Sequence, residues 1–311
     1  MKIVKNKKVF GFSKKVKDRA FICAMLALPV IGFLVFYLYV NFDSLLLSFQ
    51  VQEGNEIHWG IDNFVTLFRD FSSSSTSKDL INALSNTLKY FFSGLLITVP
   101  ASLAFCFFLY KKIKGYKIFR VLFYLPSIIS ASVLVALFRY FIAVNGPVAE
   151  LIENFSLGKL PPLLTMKTKA TDTIIFYTVF FGVGGNLILF SGAMSHIEES
   201  IVEAAKIDGA GMWTEMIKIV IPLIWPTLST VLLFQFVGLF NSSGPILLFT
   251  PQAENFDTYT ISYWIYRQVE YNKSLYYPSA VGLFFTCIGV PIALFMKWLL
   301  TRFFDNGDEG V

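Results

Sequence analysis

The polar residues that could do chemistry in this chain are few, and most sit where polar residues are costly. One apolar stretch holds Gly182, Gly185 and Asn186; another holds Gln235 and Gly238 and runs into Asn241 and Ser242. Gln235, Gly238 and Ser242 stand at i, i+3 and i+7, the spacing of one helical face. All are uncharged. Amides and hydroxyls beside Tyr177, Phe236 and Phe240 can exchange hydrogen bonds with a neutral polyhydroxylated ligand and stack on its C–H faces, whereas an ionic ligand would call for Arg, Lys or Asp at depth. Covalent chemistry has little footing. Cys23, Cys106 and Cys287 are dispersed through apolar runs and His58 and His196 lie in separate polar segments, so no His/Cys/Asp/Glu cluster has metal-ligand spacing. A nucleophile–base pair is equally missing from the apolar stretches, so no catalytic residue is assigned.

The elements that position these groups follow from composition. Hydrophobic residues make up 55% of the 311 and charged residues 15%; mean hydropathy is +0.61. A soluble domain carries roughly a quarter charged residues, and disorder needs low hydrophobicity with high charge. What remains is an all-α polytopic membrane protein. Six stretches approach the roughly 20 helical residues that cross a hydrocarbon core of about 30 Å: Phe21–Val40, Tyr90–Tyr110, Val121–Phe141, Thr173–Met194, Leu223–Phe240 and Ala280–Leu300. The first is longer than a signal-peptide core and is followed by Asn41-Phe42-Asp43, so it reads as a retained helix. Outer loops 41–89, 144–172 and 241–275, with the Ser72–Ser75 run, Pro161-Pro162 and Pro251, are too small for an independent enzyme domain.

Charge sets the expected orientation. With the amino end inside, the inner segments hold 17 of the 26 Lys and Arg residues, eight of them in the first 20 positions. The division is therefore a basic cytoplasmic segment 1–20, a membrane domain 21–300 and a cytoplasmic tail 301–311, in the cell membrane. No apolar core contains Asp or Glu, and the only basic residues, Arg139 and Lys297, lie near helix ends. An ion-coupled carrier generally needs an ionisable relay at depth, so that class is disfavoured.

One inner loop is too patterned for a plain connector. Residues 196–226 read HIEESIVEAAKIDGAGMWTEMIKIVIPLIWP. A helical run through Ile207 is broken at Asp208-Gly209; a second run places Trp213, Met216, Ile219 and Val220 together, and Pro222 opens the next membrane helix. Five carboxylates against two lysines rule out a nucleic-acid reader. Paired Ala204-Ala205 permits close packing by a partner, in a helix-in-groove mode.

Glu203-Ala204-Ala205, three residues, Gly209, nine residues and then Ile219-Val220-Ile221-Pro222 resemble the EAA loop of bacterial ABC-importer permeases, with Ile221 where the family has Leu. Asp208-Gly209-Ala210, Gly60-Ile61-Asp62-Asn63-Phe64 with Leu67-Phe68, and Asn86-Thr87-Leu88 resemble the carbohydrate branch of that family, the maltose-permease-like group. The resemblance spans roughly residues 20–300. It implies the type I importer permease fold, six transmembrane helices with a cytoplasmic helix-turn-helix coupling loop. Glu203, Ala204, Ala205, Asp208, Gly209, Ile219 and Pro222 would then couple to an ATPase, and the polar residues of the fourth and fifth spans would bind substrate.

The same resemblance implies partners: a second homologous permease forming a heterodimer, two copies of a cytoplasmic P-loop ATPase and an extracellular solute-binding protein. The chain itself has no G-x-x-x-x-G-K-[ST] loop, so ATP and Mg²⁺ would be bound by the ATPase and this chain would be a non-catalytic transport subunit. The expected cargo is a carbohydrate, an oligosaccharide first. A polyol, a glycerophosphodiester or a peptide stays open as alternative cargo, with an ion-coupled secondary carrier as the alternative mechanism.

Overall fold

A computed structural model describes residues 14–54, 56–72, 78–156, 158–249 and 256–308. Most of the basic amino end, Ser73–Ser75, Pro251 and the last three residues lie outside the described residues. Among those described, four helices are long and apolar enough to cross a membrane: α1 (Asp18–Ser48), α3 (Lys78–Tyr110), α7 (Lys169–Ser195) and α12 (Tyr276–Arg302). Between α1 and α3 lie a two-stranded antiparallel hairpin, β1 (Gln50–Glu53) and β2 (Glu56–Trp59), and the amphipathic helix α2 (Asp62–Ser72).

The expected third and fifth spans are broken. Val121–Phe141 is two helices, α4 (Tyr116–Ile128) and α5 (Ala131–Phe141), bent by 110°. Pro126 removes one bond of the helical ladder, and Ile129 and Ser130 are extended at ψ 142° and 135°. After the short α6 (Pro147–Asn154), α7 and α8 (Glu199–Ile207), the fifth span divides into α9 (Met212–Leu223) and α10 (Trp225–Val237), at 79°. Pro226 has no N–H to give the carbonyl of Pro222, so the ladder fails at Ile224. Pro226, not Pro222, therefore sits in the first turn of the membrane helix. That helix also stops at Val237 rather than Phe240, with Gly238 as its C-cap. The chain counts up to six crossings if each bent pair is one span.

Two clusters hold the helices together. Val99, Leu103 and Phe107 of α3 meet Val183, Leu187, Phe190 and Met194 of α7, and Val220, Ile224 and Leu228 close over them. Ser102 Oγ donates to the carbonyl of Val183 at 3.2 Å, across the two helices. Gly184 lies against the backbone oxygen of Phe123, where a Cβ would collide, so α4 rides directly on α7. At the other end of the molecule, Leu80 and Ala83 pack with Tyr259, with Ile261 and Tyr263 of α11 (Ile261–Asn272), and with Val281 and Phe285 of α12. By contrast α1 buries none of its apolar window inside the chain, as expected of a helix whose solvent is lipid.

The segments 48–63 and 257–261 are tied by buried polar side chains. Asn63 Nδ2 donates to the carbonyls of Ser48 and Gln50 at 3.1 and 2.8 Å, closing the end of α1 onto the hairpin. Asn86 Nδ2 donates to the carbonyls of Asp257 and Tyr259 at 2.6 and 3.1 Å, while Thr87 Oγ1 accepts from the N–H of Ile261 at 2.9 Å. Replacing Asn86 by Ala removes two of the hydrogen bonds that hold the 257–261 segment, with Thr171 Oγ1 still donating to the carbonyl of Asp257 at 3.0 Å, and costs about 1–3 kcal/mol. The expected outcome is a lower thermal midpoint in detergent and faster hydrogen exchange around 257–261; unchanged exchange there would refute the tie.

Candidate functional site

Near the middle of α3 and α7, these two helices and α10 surround a cavity of about 340 Å³. Its wall on α3 contains a wide turn, Gly94–Thr98, in which the N–H of Val99 reaches the carbonyl of Gly94; such turns interrupt the helix and often mark sites. Gly94 gives space to the Gln235 amide, since a Cβ there would stand 2.8 Å from Oε1. Gly182 similarly faces the methyl of Thr98 at 3.3 Å from where a Cβ would be. The phenol oxygen of Tyr90 is buried at this wall and has no hydrogen-bond partner. Among the described residues, no charged side chain lines the cavity. An unpaired buried hydroxyl facing an uncharged, partly aromatic cavity is suited to a neutral hydrogen-bonding ligand.

Five of the seven expected substrate residues converge here: Gly182, Asn186, Gln235, Gly238 and Ser242. Two do not. Gly185 points to open space, with nothing within 4 Å of a built Cβ, and is off the cavity wall. Asn241 lines a separate groove between α10 and α12, and its Nδ2 is turned back onto the carbonyl of Val237 at 3.3 Å. The helical-face argument fails for Ser242 as well, because the helix ends at Gly238; Ser242 reaches the cavity from the turn that follows. Sequence reasoning missed Tyr90, Thr98, Thr178 and Thr260 on the wall. Single hydroxyls in apolar helices are ordinary, so only the unpartnered Tyr90 oxygen could have been a signal, and that requires coordinates.

Residues 199–223 form a helix, a turn and a second helix. In α8, Val202 and Ala205 are buried while Glu203, Ala204, Lys206 and Asp208 are exposed. The helix is closed by a pair of reversed bonds: Ala210 N–H to the carbonyl of Ala205 at 2.9 Å, and Gly209 N–H to that of Lys206 at 3.1 Å. This closure requires a left-handed residue, supplied by Gly209 at φ +76°. In α9, Met216 and Val220 are buried and Ile219 is half-buried, but Trp213 is 59% exposed, stacking edge-on against Phe108. Pro222 is exposed in the last turn of α9. Ile207, 86% exposed, and Met212, 44% exposed, leave apolar surface at the turn between the two helices.

A family described as binding-protein-dependent transport system inner membrane component matches residues 94–305, which takes in both the cavity helices and this loop. The chain belongs to that family. Among its relatives, the arabinooligosaccharides transport system permease protein AraP of Bacillus subtilis is 25% identical, over 89% of this chain and 88% of that one. The lactose transport system permease protein LacF of Rhizobium radiobacter is 26% identical over 86% and 89%. A solved bacterial ABC transporter for import of the acidic polysaccharide alginate has a chain that superposes with a TM-score of 0.79 at 25% identity, covering 93% of this chain and 98% of its own. The protein is thus a multi-pass permease component of an ABC importer, a class of transport subunits, with the type I permease fold.

What joins the loop of this permease to its membrane helices is an ion pair not anticipated from sequence. Lys111, just past α3, donates to both carboxylate oxygens of Glu215 at 2.7 and 2.8 Å; the Glu215 side chain is 3% exposed and that of Lys111 17%. Neutralising one member strands the other, at a cost of about 3–5 kcal/mol. Glu215→Gln or Lys111→Met is therefore expected to destabilise the permease strongly, and the exchange Lys111→Glu with Glu215→Lys to recover part of the loss. Thermal unfolding in detergent reads both, and single variants as stable as the parent would count against a buried pair.

Proposed function

We propose that this permease forms half of the translocation pathway for a neutral carbohydrate, an oligosaccharide by the kinship of its relatives, and that α8 and its Gly209 turn couple it to an ATPase. The observation that carries the cargo class is the cavity wall: amides, hydroxyls and aromatic rings with no cation. The alginate importer moves an acidic polysaccharide; a chain built to hold uronates or phosphodiesters at this depth would need Arg or Lys facing the cavity. The cavity of about 340 Å³ is at the small end of ligand sites, which run from about 300 to 1,000 Å³. It accepts a few sugar rings at most, and the rest of the pathway comes from a second permease.

In this reading a solute-binding protein delivers sugar to the mouth opposite α8. Two ATPase subunits, which hold ATP and its Mg²⁺, close on nucleotide binding and grip the exposed side of α8. Residues Glu203, Ala204, Ala205, Asp208 and Gly209 transmit that movement, with Ile219 and Pro222 carrying it toward the kink at Ile224. The two access states then exchange population. Both chain ends are cytoplasmic, 21–300 is the membrane domain, and the chain itself makes and breaks no covalent bond.

Gln235→Leu and Asn186→Leu keep size and remove hydrogen-bonding capacity. Each is expected to lower uptake of the cognate sugar by about tenfold, the value of one lost hydrogen bond near 1.4 kcal/mol, with the purified complex still assembled. The cognate sugar is first identified by binding to the accompanying solute-binding protein. Unchanged uptake in both variants would remove the cavity from the pathway. Gly209→Asp places a side chain at a left-handed turn, and is expected to abolish co-purification of the ATPase while the two permeases stay together; an ATPase retained in full would move the docking site elsewhere.

A further inference from the structure

A second cavity of the permease belongs neither to the proposed sugar path nor to the exposed side of the coupling loop. It has a volume of about 430 Å³ and lies between the end of α3, the start of α4, the end of α7 and the inner side of α8. Four cationic side chains line it, Lys111, Lys112, Arg120 and Lys206, against one carboxylate, Glu199. Lys111 is already spent on Glu215. Among the described residues, no carboxylate stands within 4.0 Å of Lys112, Arg120 or Lys206 in the ion pairs of the molecule. Lys112 is held in a left-handed conformation, φ +50°, by the turn that ends α3. Hydroxyls of Ser191 and Tyr110 complete the wall. Three cations outside any ion pair converge from three elements against the single carboxylate of Glu199, an excess of positive charge that favours an anion, and Arg with Lys favours phosphate.

The surroundings indicate where the phosphate comes from. Membraneward of Arg120, Val121 and Leu122 are 63% and 56% exposed; one turn membraneward of Ser191, Ile188 and Leu189 are 55% and 48% exposed. A phosphate in the cavity would therefore have apolar surface beside it on the lipid side, the arrangement needed for a headgroup whose acyl chains stay in the bilayer. Its other boundary is the coupling helix. Glu199, Val202 and Lys206 face the cavity at i, i+3 and i+7, while exposed Ala204 lies on the opposite side of α8. The site is thus distinct from the surface proposed to meet the ATPase.

We propose that this cavity binds a phosphate group, that of an anionic phospholipid headgroup, and so links the composition of the inner leaflet to the position of α8. The test uses the transporter as purified with its accompanying subunits, reconstituted in nanodiscs of phosphatidylcholine with increasing phosphatidylglycerol. Native mass spectrometry then counts the phosphatidylglycerol retained on the permease. The double variant Lys112→Gln, Arg120→Gln lies outside the coupling loop. It is expected to weaken retention about tenfold or more, since two of the basic residues that attract the anionic headgroup are lost.

Lys112→Arg with Arg120→Lys, which keeps both charges, should retain the lipid and controls for folding. A soluble arm titrates inorganic phosphate against the retained lipid. Displacement at millimolar concentration would support the phosphate site and assign its occupant to the cytosol rather than the bilayer. Equal retention of phosphatidylglycerol by parent and Gln variant would overturn the proposal, as would no retention by the parent and no phosphate binding.

Discussion

Lipid offers a backbone amide nothing to bond to, and the architecture of this permease follows from how it meets that constraint wherever a helix stops short. The helices α1, α3, α7 and α12 each run long enough to cross the membrane and bond mainly along their own ladders. The breaks at Ile129–Ser130 and Ile224 do not, and each is closed locally. The N–H of Ile129 still reaches Leu125 and that of Leu134 reaches Ser130, while the N–H of Leu228 reaches Ile224. The irregular stretch 257–261 is closed from a distance, by Asn86, Thr87 and Thr171. Polar side chains in the apolar body are therefore of two kinds: those consumed in repairing backbone, and those left over.

The leftover groups define the two cavities, and the cavities differ in the way their surroundings demand. Within the membrane the wall is neutral, because an unpaired charge there would be prohibitive, and its unspent donors and acceptors are amides and hydroxyls. At the level of the inner loop the wall is cationic, where headgroups and water can compensate. The buried pair of Lys111 and Glu215 stands between these regimes. It ties the end of α3 to the start of α9, so the loop that carries Gly209 and the helix that carries Gly94 are fixed to a common anchor. A displacement of α9 is passed to α3 through charge as well as packing.

Most of this architecture was legible in the sequence because it rests on local or periodic signals. Hydropathy located the four long apolar helices and both bent pairs, and the Gly209 turn could be read from one residue because closing a helix by reversed bonds needs a left-handed conformation. The motif Asn86-Thr87 was visible as a resemblance, but its work, holding a stretch more than 170 residues away, was not. The kinks were misread for a physical reason. A proline removes one bond and the sequence does not say whether the neighbours bend, so the span from Val121 was drawn straight and Pro222 was given the role that Pro226 plays. The same error carried Asn241 and Ser242 onto a helix that had already ended. Gly185 was chosen with its neighbours Gly182 and Asn186, yet adjacent residues on a helix point 100° apart, and only coordinates separate them. Lys111 and Glu215 lie 104 positions apart, with no pattern to join them.

The staples on segment 257–261 also bear on how the chain is made. Asn86 is separated by 171 residues from Asp257 and by 173 from Tyr259. At about 5–20 residues per second, roughly 10–30 s of synthesis pass between the two. Throughout that interval the side chain that will close the outer end of the molecule has nothing to hold. The amino-terminal half of the permease must therefore wait in the membrane with this end unfastened, and it locks only when residues 257–261 have been made.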